Sequence, residues 1–294
     1  TAPTISIDPT QADWRNSALS VKITHADSAG SVNSGPASTT GKYFLSTSDT
    51  KLEGGAWTNY TSGTAFTINP ATGTYYIFTE IIKDNAGNES NSNVVTIGGT
   101  KYHRFGPYKF DKTAPTLNLT TQKDEVYRKS RNVSITIGDA HSGLATGASI
   151  KYIWSTSTSA PGETAGWTTV KPSYTAGTKS VSFNASGSGM TGKYYLHIQV
   201  GTLTDVATNS YSTTICSTGT FWFDNKAPTI TFGANSDTTW KQNRTVTVTI
   251  GDADSGLATG AAVQYGWVAE GKTEPDGGYA TATISSYSAG AKTA

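Results

Sequence analysis

The sequence predicts an all-β protein made of tandem β-sandwich repeats, of which the last is incomplete. Three observations predict this fold class: landmarks that recur along the chain, short segments of alternating apolar and polar residues, and turn-forming residues between those segments. Alternation with a period of two is the pattern of a strand that buries one face. No segment shows the apolar stripe of a helix.

The repeats are marked by the tripeptide Ala-Pro-Thr, which begins at Ala2, Ala114 and Ala227, with spacings of 112 and 113 residues. A fixed spacing of this length indicates a repeat of domain size, because solenoid repeats are much shorter. We therefore predict three repeats, at residues 1–111, 112–224 and 225–294. The third repeat is expected to lack its final strands and the first to be clipped at its start, as in a piece of a longer protein.

Further landmarks follow each tripeptide in the same order. Asn132 to Gly147 has the sequence NVSITIGDAHSGLATG, and Arg244 to Gly260 has RTVTVTIGDADSGLATG. An aromatic segment comes next in every repeat, starting at Tyr43, Tyr152 and Tyr265. The common order indicates that the same strands recur in the same sequence.

The predicted strands are short and one-sided. Val133, Ile135 and Ile137 fall on one face of a strand, and Leu196 and Ile198 on one face of another. About seven such strands in roughly 110 residues are typical of an immunoglobulin-like sandwich of two antiparallel sheets. In that fold Trp154 is expected to be buried against the aromatic strand that contains Tyr194 and Tyr195. The predicted fold class is therefore all-β, with tandem immunoglobulin-like sandwiches.

Composition and charge exclude several classes of function. The net charge is +1 and the basic residues are scattered, whereas a nucleic-acid binder needs a basic stripe. No apolar run approaches the roughly 18 residues needed to cross a bilayer, so we expect no membrane insertion in this segment. Cys216 is the only cysteine, which leaves no intrachain disulfide.

Two short motifs carry a resemblance to a known family. Asp111 to Thr116 has the sequence DKTAPT, and Asp84 to Asn88 has DNAGN, whereas repeat two has DVATN at Asp205 to Asn209, with Thr208 in place of glycine. The chain resembles the immunoglobulin-like repeats of large secreted or cell-surface proteins of bacteria, mainly Gram-positive. The resemblance implies an extracellular location, at the cell surface or secreted, and service as a stalk or as an adhesive or accessory module.

We predict from the sequence that this chain is not an enzyme. None of the four histidines, His25, His103, His141 and His197, recurs at one place in every repeat. His197 falls on the strand face opposite Leu196 and is expected to point to solvent. A Gly-Ser-Gly at Gly187 lacks the full nucleophile elbow and its α/β context.

Recurring acids provide the one candidate site, a calcium ion at the junctions between repeats. The loops after the second and the penultimate strands lie at the same end of such a sandwich as the linker, so acids there should converge. Calcium takes six to eight oxygen ligands. The alternative is that the acids form turns with their own backbone, which the absence of a full calcium loop favours. The candidate ligands are Asp111, Asp139 and Asp205 for repeat two, and Asp224, Asp252 and Asp254 for repeat three.

Aromatic side chains give the last set of expectations. Recurring aromatics are expected in the core rather than in an exposed row that stacks on sugars. An aromatic and basic cluster from Tyr102 to Tyr108 either packs across the first junction or is exposed. The core set is Trp57, Trp167, Tyr43, Tyr152 and Tyr265.

The function expected from these patterns is a non-catalytic stalk or adhesin segment of a bacterial surface protein, which holds a distal domain away from the cell. The alternative is a carbohydrate- or protein-binding accessory module of a secreted enzyme, and decoration of a phage or filament is a third possibility. Expected partners are the neighbouring repeats and, if any, a surface ligand such as a glycan or host protein. No cofactor is expected, apart from the possible calcium ion.

Overall fold

A computed structural model describes residues 1–27, 34–233 and 238–294 of the chain. Every regular element in these ranges is a β-strand, which confirms the all-β prediction. No helix among the described residues is long and apolar enough to cross a membrane. Each sheet consists of strands from a single predicted repeat.

Repeat one contains two sheets. Three strands pair in the order β1-β3-β6, and five pair in the order β2-β9-β7-β4-β5, with β8 on β9. The strands are β1 (Thr4–Asp8), β2 (Ala12–Arg15), β3 (Leu19–Ala26), β4 (Thr40–Ser46), β5 (Trp57–Thr61), β6 (Ala65–Ile68), β7 (Gly73–Glu80), β8 (Val94–Ile97) and β9 (Thr100–Phe110).

The core of repeat one lies between these sheets. Alternation along β3 buries Leu19, Val21 and Ile23, and the apolar side chains of β7 and β9 face them. Burying each such aliphatic side chain contributes about 1.5–3 kcal/mol, which explains why a sandwich without a disulfide can hold together.

Repeat two has the same arrangement, with the sheet orders β10-β12-β15 and β11-β18-β16-β13-β14, and β17 on β16. As β2 does with β9, β11 pairs in parallel with the last strand of its repeat. The strands are β10 (Thr116–Leu119), β11 (Asp124–Arg128), β12 (Ser130–Gly138), β13 (Ser149–Ser155), β14 (Thr168–Val170), β15 (Ser180–Ser188), β16 (Gly192–Thr202), β17 (Ile215–Cys216) and β18 (Phe221–Phe223).

Trp154 lies at the edge of the core of repeat two rather than at its centre. Its ring is half-buried and makes edge contacts with Phe221 at 5.3 Å and Phe223 at 5.2 Å. The predicted partner strand, β16, lies beside Trp154 in the same sheet, with Trp154 paired to Leu196. The ring therefore packs on β18, the next strand across.

Repeat three has two small sheets, formed by β19 (Thr229–Phe232) with β20 (Val248–Gly251) and by β21 (Gln264–Tyr265) with β22 (Ala280–Thr281). The described residues contain no strands that match β16 and β18 of repeat two. Between the two sheets lies an open cavity of about 770 Å³, whose lining includes Phe232, Val248 and Trp267. Phe232 and Trp267, which line this cavity, are exposed.

Candidate functional site

Three buried carboxylates meet at the junction between repeats one and two. Asp111 directly follows β9, Asp139 directly follows β12, and Asp205 lies in the loop after β16. One carboxylate oxygen from each lies within 4.8 Å of the others. The structure thus brings together all three acids that the sequence assigned to the junction of repeat two.

Asp111 is held by the linker on one side and by the loop after β12 on the other. Its Oδ1 accepts hydrogen bonds from the backbone N–H and the hydroxyl of Thr113, and its Oδ2 accepts the N–H of Ser142 at 2.9 Å. Burial alone would raise the pKa of Asp111, but these hydrogen bonds to the charged form lower the pKa to about 2. Asp111 is therefore ionised at neutral pH.

Asp139 caps the turn that follows β12. Its Oδ1 accepts the N–H of His141 at 3.0 Å and the N–H of Gly143 at 2.8 Å. None of the described residues donates a hydrogen bond to its Oδ2. One oxygen thus makes the predicted turn, while the other is available to a further partner.

Asp205 begins the DVATN turn and is bonded mainly to Asn209. The Asn209 N–H donates to Oδ1 at 2.8 Å, and the Asn209 side-chain amide donates to Oδ2 at 2.7 Å. Burial raises the pKa of Asp205, the Asn209 bonds lower it in part, and the charges of Asp111 and Asp139 raise it further. The site therefore disfavours a third negative charge unless a cation is present.

The chemistry of the cluster suits a hard cation. No lysine or arginine within residues 1–27, 34–233 and 238–294 forms an ion pair with the three acids. Carboxylate oxygens are the preferred ligands of calcium, although a complete shell needs carbonyls or water as well. The aspartates accept hydrogen bonds within their turns, and their carboxylates also lie close together. The two alternatives predicted from the sequence, backbone turns and a calcium site, are therefore compatible in geometry. The calcium ion itself stays a prediction.

Repeat three reproduces two of the three acids. Ser255 N–H donates to Asp224 Oδ2 at 2.9 Å, and Gly256 N–H donates to Asp252 Oδ1 at 2.8 Å. Hydrogen bonding from Ser255 lowers the pKa of Asp224, against the smaller opposing effect of burial. Asp254 forms an ion pair with Lys226 at 3.2 Å instead. The part of repeat three that the structure describes does not bring three carboxylates together.

Repeat one retains acids at two of the matching places. Asp27 and Asp84 are both buried. Asp84 accepts the N–H of Asn88 at 2.8 Å and its side-chain amide at 2.7 Å, as Asp205 does from Asn209. Hydrogen bonding from Asn88 lowers the pKa of Asp84. The DNAGN and DVATN motifs therefore form the same turn.

The substitution of glycine by Thr208 leaves the geometry of that turn intact. Gly87 has a φ of 85°, and Thr208 has a φ of 74°. A left-handed backbone costs a β-branched residue about 1–2 kcal/mol, whereas glycine adopts it without a steric penalty. Repeat two thus holds Thr208 in a strained conformation at the edge of the acid cluster.

The histidines are not gathered into one site. His25 lies in repeat one and contacts the hydroxyl of Tyr60 at 2.6 Å, while His103 is buried and contacts Ser92 O. His141 is exposed. The prediction that His197 points to solvent was wrong: the ring is fully buried beneath a loop, 2.8 Å from Ser157 O. An outward-facing position on a strand can still be covered by a long loop.

The recurring aromatics divide between core and surface. Tyr152 is buried, as predicted, and Tyr43 stacks on Phe66 at 4.4 Å beside the core of repeat one. The core prediction was wrong for Trp57, which is partly exposed and stacks on Tyr102 at 5.8 Å. It was also wrong for Trp167, which is half-buried, and for Tyr265, which is exposed.

The cluster from Tyr102 to Tyr108 follows neither of its two expected arrangements. It belongs to β9, where His103, Phe105 and Tyr108 point into the core of repeat one. Arg104 lies on the other face, with its guanidinium 5.9 Å from the ring centroid of Tyr76. The alternation of a strand therefore explains the cluster.

The sequence did not predict two residues of the site. Ser142 donates its N–H to Asp111, and Asn209 donates its side-chain amide to Asp111 O at 2.9 Å. Both residues connect the linker to the loops of repeat two. The recurring Ser-Gly after each Asp139-type acid was a signal that could have identified Ser142.

No protein-family model matches the chain, and no curated protein matches it.

Proposed function

We propose that this chain is a structural spacer, a stalk or adhesin segment of a bacterial cell-surface protein that carries no catalytic activity of its own. The resemblance to bacterial immunoglobulin-like repeats supports this proposal, as do the all-β sandwiches that recur along the chain. The extracellular location is part of the same proposal.

The observation that carries the proposal is the identical attachment of the linker at both junctions. Asp111 N–H donates to Arg15 O at 2.9 Å, and Asp224 N–H donates to Arg128 O at 3.1 Å. Each linker aspartate also accepts the N–H of the next repeat's serine at 2.9 Å, from Ser142 and Ser255. A linker that is hydrogen-bonded to the repeats on both sides limits bending, as a segment that keeps two domains apart requires.

Small-angle scattering of the 294-residue chain tests the spacer directly. Sandwiches of roughly 35 Å in a row should give a rod about 100 Å long. A rod of that length has a radius of gyration near 30 Å, whereas one compact globule of this size has about 19 Å. A measured radius of gyration near that of the compact globule, about 19 Å, would refute the spacer function.

The linker proline provides a matched pair of variants. Pro115 follows the first junction, and Pro3 occupies the same place in repeat one, with both side chains buried. Because proline fixes its own φ and restricts the residue before it, Pro115→Gly should broaden the distribution of angles between repeats one and two. Pro3→Gly should leave that distribution unchanged.

An accessory module that binds a glycan or a protein is the second candidate, favoured by one observation. On repeat one, Trp57 is partly exposed and stacks on Tyr102. An exposed aromatic pair can stack on a sugar ring. Binding of the whole chain to a glycan array, abolished by Trp57→Ala, would support this candidate over the spacer.

A further inference from the structure

A lysine of repeat two reaches an aromatic ring of repeat one. The Lys179 Nζ lies 5.8 Å from the ring centroid of Trp14. The same Nζ donates a hydrogen bond to the carbonyl of His141, in the loop after β12. This second contact aims the ammonium group from the turn at Gly177 toward the neighbouring repeat.

The next junction repeats the arrangement with different residues. The Lys292 Nζ lies 5.5 Å from the ring centroid of Tyr127, and it donates to the carbonyl of Asp254. Lys292 follows Gly290 by two residues, as Lys179 follows Gly177. Both glycines have a φ of 86°. The same turn therefore presents the lysine at each junction.

The receiving rings are also equivalent. Trp14 is in β2 and Tyr127 is in β11, and each comes one residue before the arginine whose carbonyl binds the linker aspartate. Tyr127 is further supported by Trp222, at 5.1 Å between ring centroids. Ring, linker and lysine turn thus form one connected surface at each junction.

The chemistry of the pair is attractive and directional. An ammonium group within about 6 Å of an aromatic centroid is drawn to the face of the ring by its quadrupole. At the first junction a further contact joins the repeats, from Asn16 Nδ2 to Thr208 Oγ1 at 3.2 Å. Lys193 makes a comparable contact with Trp222 at 4.3 Å, but within repeat two.

We propose that the ring of one repeat and the turn lysine of the next form a head-to-tail docking surface that fixes the orientation of successive sandwiches. The partner that fits this surface is another repeat of the same kind, with a lysine two residues after its turn glycine. This inference adds to the proposed spacer function and rests on it, because a fixed orientation of the repeats serves a spacer. The contacts themselves do not depend on that function.

Distances between spin labels in the whole chain test this proposal. With Cys216→Ser as the background, labels at the exposed positions Thr67 and Asn184 report on repeats one and two. Lys179→Met should broaden the distance distribution. We expect a roughly two- to fivefold larger population of open junctions, the change typical of losing one exposed cation–π contact.

Three further variants separate docking from other effects. Lys179→Arg keeps a cation over the ring and should restore the narrow distribution. Lys193→Met removes a lysine–aromatic contact inside repeat two and should change nothing. Trp240→Ala removes a fully exposed ring at the place that matches Tyr127, and should also leave the labels unaffected.

Equal distributions for Lys179→Met, Lys193→Met and the parent chain would overturn the docking surface. That result would leave the spacer function standing if scattering still showed a rod. A compact particle with a narrow, lysine-dependent distribution would instead refute the spacer while retaining the docking contact.

Discussion

Repeats two and three share their local contacts but differ in burial. In both, a tyrosine hydroxyl donates to the carbonyl of the residue after the buried leucine, as Tyr174 does to Ala145 at 2.8 Å and Tyr287 does to Ala258 at 2.7 Å. The apolar side chains of the first strand are nevertheless buried in repeat two and exposed in repeat three. Leu117 is 4% exposed, whereas its counterpart Ile230 is 57% exposed.

The difference separates two kinds of interaction. Repeat three contains every segment that is needed for the turns, for the capped aspartates and for the turn that carries the lysine. Burial of Leu117 requires side chains from β16 and β18, such as Leu196 and Phe223, which have no counterparts in the described part of repeat three. Local geometry therefore persists in repeat three, whose described residues contain no strands that match β16 and β18, whereas the burial seen at Leu117 does not.

Removing the paired apolar side chains should give the largest difference between the two repeats. Leu117→Ala should lower the free energy of unfolding of repeat two by about 3 kcal/mol, because it leaves a cavity in a packed core. Ile230→Ala should change stability by less than about 0.5 kcal/mol, as is usual for exposed positions. Denaturant unfolding monitored in each repeat measures both. Equal losses would show that repeat three has a closed core in solution.

Calcium should also distinguish the repeats. At about 100 times its dissociation constant, an ion that binds the folded state adds about 2.7 kcal/mol to the free energy of unfolding. We expect this gain for repeat two, which has three converging carboxylates, and its loss in Asp205→Asn. Asp254→Asn, outside the cluster, is the control that should keep the gain. Identical melting in calcium and in EDTA would mean that the acids serve the turns alone.

Acid should remove a smaller contribution from the linker aspartate. The pKa of Asp111 is about 2 in the folded chain, below its ordinary value, so its stabilising effect is complete above about pH 4 and disappears as the pH falls through 2. Asp111→Asn should therefore abolish about 1–2 kcal/mol of the loss in stability between pH 5 and pH 2. Glu125→Gln, at an exposed acid, is the control. An unchanged acid titration in Asp111→Asn would contradict this role.

The strained turn should give the smallest effect, and it extends the comparison to repeat one. Thr208→Gly should stabilise repeat two by about 1 kcal/mol, because the left-handed backbone then carries no side-chain penalty. The reverse change, Gly87→Thr, should destabilise repeat one by a similar amount. A Cβ added at Gly87 meets no atom within 4 Å, so this variant tests the backbone alone. Thermal melting of the two variants measures the pair.

The sequence predicted the features that depend on neighbours along the chain. Alternation located the strands around Ile135 and Ile137, both fully buried. The order of the loops predicted that Asp111, Asp139 and Asp205 would converge, since strands of a sandwich place alternate loops at one end. These inferences needed no knowledge of side-chain packing.

Other features depend on how loops fold over the sheets and on contacts between distant residues, which the sequence pattern does not show. His197 is buried because a loop folds over the outer face of its sheet and brings Ser157 O to the ring. Asp254 aligns with His141 rather than with Asp205, so its position directs it to Lys226. The pairing of Trp14 with Lys179 joins residues far apart in sequence, and no local motif marks it.

Equal junctions have a geometric consequence for longer arrays. If Trp14 with Lys179 and Tyr127 with Lys292 fix the same step, each repeat is related to the next by one rotation and one translation. A head-to-tail interface that does not close into a ring generates a screw axis when it is propagated. Identical faces of successive repeats would then wind around that axis at a constant pitch, so a ligand on one face would meet them at regular intervals.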